Sequence, residues 1–323
     1  MKLYFVVFSL FFSFHTEARS SFKDLLNYSA SGDVFELLTT LSEELKTNDD
    51  GVIKKYWISK FGLSRDEKKH LENFQTIRMK YKQQFTPFDK FSLSFYRSKT
   101  LDEAVKTLSK VLKEEDLKIV ITSLRALKSN AQKIIGESSI FEGKIDQLEK
   151  IRKREGLKKT YSKLFKFFSY KNNYKTKVFF TWWPEGYEPK IDFIQNIIFI
   201  KISPLADLES FLTQKKLISL LVKSLFLAQS ANQIKNMEKI LYKDCMQKDI
   251  ETSLYNAMGQ LYLGSLTKKK AFDPHRETYR DKRDHILSVL FFDMFEREIK
   301  NRGKFYGNFV NEVANICKLL PTS

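Results

Sequence analysis

Cysteine is nearly missing from this chain, with two residues, Cys245 and Cys317, in 323. That scarcity excludes a cysteine-dense disulfide scaffold and every thiolate zinc motif of the CxxC type. In an oxidising compartment the two could pair and tie the last helix to the middle of the C-terminal half. Two separate buried thiols fit the same letters, since sequence does not give the distance between their Cα atoms. Glycine (11) and proline (6) are also sparse, and no phosphate-cradling glycine loop, Rossmann fingerprint or GxSxG elbow occurs. Histidine is rarer still. Past Ala18 only His70, His275 and His285 remain, and no HExxH is present. A Cys–His nucleophile is possible by count, but nothing in the local sequence favours it. After the first residues, no segment is long and uncharged enough to span a bilayer.

The N-terminus carries Lys2, an apolar run from Leu3 to Phe14, the polar stretch His15-Thr16-Glu17-Ala18, and then Arg19. This is the three-part layout of an export signal, with Thr16 and Ala18 as the small residues before a cut after Ala18. The run has 12 residues, whereas a spanning helix needs roughly 20. An uncleaved anchor or a buried first helix is the plainer alternative. No cysteine follows at a place where a lipid could be attached. The expectation is a secreted or periplasmic protein with no transmembrane span after cleavage.

Apolar residues make up 42% of the chain, enough for a packed core. Net charge is +17, which favours encounters with anionic lipid or cell-envelope polymer, although a general lysine bias gives the same sum. Export removes nucleic acid from the expected partners. A protein or an anionic cell-envelope component is left, and no cofactor is expected.

Helical patterning dominates from Phe22 to about Ile151. Ser64-Arg65-Asp66-Glu67 has capping-box spacing. Thr100-Leu101-Asp102-Glu103 repeats it and opens a stripe of Ala104, Val105, Leu108, Val111 and Leu112. Leu117, Ile119, Val120, Leu124, Leu127 and Ala131 mark the next helix. Lys177–Trp183 and Asn196–Ile202 have the β-branched and aromatic make-up of strands and are expected to pair antiparallel. Helices return from Leu208, including one that is apolar nearly all round, with Leu217, Ile218, Leu220, Leu221, Val222, Leu225 and Phe226. The expected fold is mainly α with a small antiparallel β element. It divides into a signal peptide (1–18), a helical N-terminal region (19–151), a basic aromatic connecting segment (152–176), and a strand pair with a helical C-terminal region (177–323).

Two stretches hold candidate chemistry. Glu277, Asp281 and His285 recur at i, i+4 and i+8, a spacing that could bind zinc or manganese. Arg276, Arg280, Lys282 and Arg283 lie among them, so a solvated face with ion pairs explains the same letters. Between Lys150 and Lys177 there are eleven Lys or Arg residues and one acid, with six aromatics interleaved. As an amphipathic helix on a membrane, this segment would offer Lys158, Lys159, Lys163 and Lys166 to anionic headgroups and insert its aromatics. As a helix of a globular domain, it would turn Leu164, Phe165 and Phe168 into a core.

The order of elements (helical half, strand pair, apolar helix, then a helix opening with glutamate) resembles the gluzincin-type zinc metallopeptidases. Leu221–Ser230 is similar to the end of that family's metal helix, and Glu251–Gln260 to the later helix that supplies a glutamate ligand. On this resemblance Ser219 stands at the first histidine, Leu220 at the general-base glutamate, Lys223 at the second histidine, and Glu251 at the remaining ligand position. Catalytic zinc needs three protein ligands and an open site. The resemblance therefore implies a degenerate site, with a Lys223–Glu251 salt bridge where the metal would sit. The functional expectation is an exported, non-catalytic binding or structural protein. The rivals are a helical envelope protein binding anionic lipid or polymer through its basic segment, and a hydrolase with an unrecognised site around Glu277 and His285.

Overall fold

Local rules written in the sequence start most of the helices. The computed structural model describes residues 25–47, 51–82, 89–136, 138–154, 156–168, 176–194, 197–227, 236–237, 239–246, 249–255, 257, 282–300 and 309–319. A short strand, β1 (Leu26–Tyr28), runs directly into α1 (Ala30–Lys46), where the Ser29 hydroxyl caps by accepting from Gly32 N at 2.9 Å. Next come α2 (Val52–Phe61) and α3 (Arg65–Lys82). Ser64 and Glu67 make the expected reciprocal box: Glu67 N donates to Ser64 Oγ at 3.2 Å, and Ser64 N donates to the Glu67 carboxylate at 2.9 Å. After α4 (Lys90–Tyr96), Thr100 caps α5 (Leu101–Leu108). This helix stops before Val111 and Leu112, so the apolar stripe continues onto a turn and not along one helix. In α6 (Glu114–Ile135), Val120, Leu124, Leu127 and Ala131 are buried, while Ile119 faces outward at 38% exposure.

Phe35, Phe74, Phe91 and Phe95 are fully buried and hold α1, α3 and α4 together, with Phe35 stacked on Phe95 at 4.9 Å between centroids. Aromatic pairs of this kind add to simple area burial.

Beyond α7 (Ile140–Arg154) and α8 (Leu157–Phe167), the chain forms β2 (Lys177–Trp182), β3 (Lys190–Ile194) and β4 (Ile197–Ile202). The sheet order is β1-β2-β4-β3. The protein is thus mainly α with a small sheet, but the two strands read from sequence run parallel, with Val178 opposite Ile198 and Phe180 opposite Ile200. The antiparallel expectation fails because β3 turns back on β4 as its hairpin partner, which leaves β2 and β4 pointing the same way. β3 (Lys-Ile-Asp-Phe-Ile) has the alternation of an edge strand. β1 is a three-residue exception to the helical reading of the first half; the long helical excursion returns its partner β2 to it in parallel.

Both sheet faces are covered, which is why β2 and β4 read as continuous apolar runs. Val178, Phe180, Ile198, Ile200 and Ile202 face a core built by α7 and later helices, whereas Phe179 and Phe199 face the core of α1 to α6. The later layer holds α9 (Leu208–Phe211), α10 (Gln214–Leu227), a π-helical turn (Asp249–Leu254), α11 (Lys282–Lys300) and α12 (Phe309–Lys318). In α10, Leu217, Ile218, Leu221, Val222 and Leu225 are buried, with Leu220 half-buried. The Phe226 side chain lies outside the described residues. Cys245 and Cys317 form a disulfide, their Cα atoms 5.1 Å apart, which joins the chain before the π-helical turn to α12. Among the described residues, no helix is long and apolar enough to cross a membrane.

Candidate functional site at the carboxyl edge of the sheet

The positions singled out by the peptidase resemblance sit on α10, which packs on α8 and β4. Ser219 Oγ donates to Lys215 O at 3.0 Å, and Lys223 places its ammonium over the Phe193 ring, 4.9 Å from the centroid. Glu251 falls in the π-helical turn, but its side chain lies outside the described residues, and with it the suggested Lys223–Glu251 pair. Trp182 and Trp183 belong to the core of α1 to α6, on the other side of the sheet from the α10 core. Of the three metal candidates, Glu277 and Asp281 lie outside the described residues, and His285 is half-buried on α11. Among the described residues, no three His, Cys, Asp or Glu side chains converge as a metal site would need.

In the basic segment, Leu157, Tyr161, Leu164 and Phe168 are buried in the later core, and Phe165 packs against it. The side chains of Phe167, Tyr170 and Tyr174 lie outside the described residues. Lys158 is exposed; the side chains of Lys159, Lys163 and Lys166 lie outside the described residues.

A different place has the form of a binding site. Strands β1, β2 and β4 are parallel, so Tyr28, Trp182 and Ile202 end at one edge of the sheet. From β1 the chain enters one helical layer through α1, and from β4 it enters the other through α9. Between those diverging exits the carboxyl end of β2 is left open, which is where open α/β sheets form crevices. A cleft of about 470 Å³ lies there, lined by Tyr56, Lys60 and Phe61 of α2, Lys133 and Ile134 of α6, Trp182 at the end of β2, Trp183 and Glu185 beyond it, and Ser203 to Leu205 after β4. Its volume is within the range of roughly 300–1,000 Å³ common for small-molecule sites.

Two cations stand at its mouth. Lys60 lies 5.7 Å from the Tyr56 ring centroid and Lys133 lies 5.8 Å from that of Phe61, both ammonium groups being exposed. Such contacts hold the ammonium near an apolar wall without neutralising it. Tyr56 packs edge-on to Trp182 at 5.2 Å, and Lys190 covers the Trp183 ring at 4.8 Å. Trp183 is buried, and among the described residues no acceptor reaches its indole Nε1. The wall is therefore aromatic and the rim basic, with Glu185 as the single acid in the lining. Sequence reading did not find this cleft, because Tyr56, Lys133 and Trp182 meet only through the fold. The one local signal was the Trp182-Trp183 pair ahead of the Pro184-Glu185-Gly186 turn, since two large aromatics at a strand end must pack on something.

Behind the cleft lies a buried carboxyl. Trp183 N donates to Ile202 O on the β4 side, so Trp182 N points toward β1, which has already ended. Asp33, in the first turn of α1, fills that gap: Trp182 N donates to its Oδ1 at 2.8 Å. Burial pushes the Asp33 carboxyl up to about 7, against the lowering effect of Trp182 N–H and the neighbouring Ser138 and Tyr28 hydroxyls. No described donor reaches Oδ2 in good hydrogen-bond geometry. Burial, with Asp33 alongside, holds the Tyr28 phenol well above its ordinary value. Tyr28 also lines a second cleft of about 480 Å³, between the start of α1 and α6, which carries Lys99 and Lys128.

Comparison of the chain with protein-family models, with curated proteins and with solved structures gives no match.

Proposed function

We propose that this chain is an exported, non-catalytic binding protein that takes an anionic ligand with an apolar or ring-shaped body in the cleft at the end of β2. The observation that carries the reading is the pair Lys60 and Lys133, each poised over an aromatic ring at the mouth of a pocket walled by Trp182 and Trp183. An apolar wall accepts the body of the ligand, and two exposed ammonium groups meet its carboxylate, sulfate or phosphate. Acidic cell-envelope polymers have this chemistry, and the net charge of +17 draws them in. The Cys245–Cys317 disulfide supports an oxidising compartment, as does the export-signal layout before Arg19. In this reading the likeness to gluzincins is one of element order, with Ser219, Leu220 and Lys223 standing where a metal-binding set would be.

Titration of the mature protein with an anilinonaphthalene sulfonate, an anion on an aromatic body, tests the proposal. Saturable binding is expected, weakened roughly ten-fold by Lys60→Gln combined with Lys133→Gln, in keeping with about 1 kcal/mol or less per rim contact. The salt dependence of binding should shrink in the same variant. Unchanged affinity and salt dependence would remove the cleft from consideration. Mass spectrometry of the exported chain should find Arg19 at its N-terminus.

A further inference from the structure

The backbone of Trp182 is held on its β1 side by a side chain and not by a strand. β1 and β2 stay in register only as far as Tyr28 opposite Phe180. Two residues on, Trp182 N donates to a carboxylate carried by α1 from 149 positions away in sequence. A strand carbonyl cannot change its charge, but a carboxyl can. We propose that Asp33 is the positioning residue of the cleft and makes ligand binding respond to acidification, its charged form fixing the Trp182–Trp183 edge and its neutral form releasing it. The inference rests on the cleft reading above and supplies that site with a regulator.

The surroundings of Asp33 favour such a change. An ionised carboxylate accepts the Trp182 N–H in a charge-assisted bond, and protonation reduces it to an ordinary one. The groups that face Asp33 come from several elements. Tyr28 of β1 and Ser138, in the turn before α7, place hydroxyls beside it, and Glu36, one turn further along α1, adds a like charge. Tyr96 of α4 also feels Asp33, and Lys201 of β4 pairs with Glu36. Glu142 of α7 acts on Tyr28. No cation is among the groups that act most on Asp33, and Lys201 is shared between Glu36 and Asp192. Burial thus works against the ionised form, and the carboxyl titrates near neutrality, at about 7.

Two readouts decide the matter. The first is near-UV circular dichroism in a Trp57→Phe background, where the indole signal comes from Trp182 and Trp183. A step centred near pH 7 is expected, and Asp33→Asn, which keeps the shape and one acceptor, should abolish it. The second is affinity for the anilinonaphthalene sulfonate between pH 8 and pH 6. It should fall several-fold in the parent protein and stay flat in Asp33→Asn, at the parent's acid value. If Asp33→Asn does not fold, Tyr28→Phe substitutes for it, since losing a hydroxyl that favours the charge moves the step to higher pH. A step that persists in Asp33→Asn, or does not move in Tyr28→Phe, overturns the inference. The two readings fail separately. Probe binding indifferent to Lys60→Gln and Lys133→Gln removes the cleft, whereas the dichroism step alone decides whether Asp33 positions Trp182.

Discussion

Lys201 of β4 lies 3.0 Å from Glu36 of α1, and the same ammonium lies 3.0 Å from Asp192 of β3. The Lys201 and Glu36 side chains are 13% and 14% exposed, so this is a charged tie between the sheet and the first helix, held largely out of water. Burial acts to lower the Lys201 ammonium, but Glu36 and Asp192 more than reverse that and hold it above its ordinary value. The Tyr96 hydroxyl donates to the other Glu36 oxygen. Lys201→Met leaves the largely buried Glu36 without its cation, and the expected loss is about 3 kcal/mol in urea unfolding. Adding Glu36→Gln should restore much of it, because the uncompensated charge goes and Gln still accepts from Tyr96. A double variant no more stable than Lys201→Met would show that shape, not charge, joins these elements.

Asp33 has a second consequence, for folding stability. Its carboxyl sits at about 7 in the native protein against 3.8 for a free side chain. Between those values the native state holds the proton and the unfolded chain does not. Raising the pH across that window therefore favours unfolding, and above it no further change comes from this group. Asp33→Asn has no such dependence. Relative to the parent protein, the variant should gain about 4 kcal/mol between pH 4 and pH 8, nearly all of it below about pH 7.5. Parallel unfolding series at several pH values measure the difference, in which the remaining carboxylates cancel. A constant offset between the two proteins would mean that Asp33 keeps an ordinary carboxylate titration.

How far the sequence exposed this fold depends on the range of the interaction involved. The caps at Ser64 and Thr100 are settled within four residues: Ser64 and Glu67 form the full reciprocal box, whereas at Thr100 the hydroxyl caps as read but the Glu103 carboxylate accepts from Lys99 N. The apolar faces of α6 and α10 follow from a period of 3.6 residues, with Ile119 the exception because the face of α6 is narrower than its apolar set. Strand direction was not legible in the same way. β2 and β4 carry no mark of being parallel, and that outcome depends on β3, whose Lys190 and Asp192 disguise it as a loop. The disulfide needed the fold to bring Cys245 to α12. The cleft needed α2, α6 and two strand ends together, and no window of sequence contains them. Asp33 is an acid in the first turn of a helix, a place where a carboxylate is favoured by the helix dipole, and nothing in its neighbours sets it apart. Only the early end of β1 turns it into the acceptor for Trp182.

Arg283 illustrates the same limit and gives a sharp test. In the sequence it is one of four cations around Asp281, and the bland reading puts it in water. In the structure it enters from the first turn of α11 and meets Asp249, the first residue of the π-helical turn, which is fully buried. Arg283 Nη2 donates to Asp249 Oδ2 at 2.8 Å and Nε to Oδ1 at 3.2 Å, a two-pronged contact suited to the planar guanidinium. Met246 N also donates to Oδ2, at 3.0 Å. Arg283→Ala removes both prongs and leaves the buried carboxylate, among the described residues, with the Met246 backbone donor only, so a loss of about 3–4 kcal/mol is expected. Arg283→Lys keeps the charge but not the fork, and it should recover less than half of that loss. The readout is amide hydrogen exchange around Asp249–Leu254 and Lys282–Lys300 together with global unfolding, because loosening of this contact frees the π-helical turn and α11 from each other first. Full rescue by lysine would reduce the contact to a point charge and take away any special role for the arginine geometry.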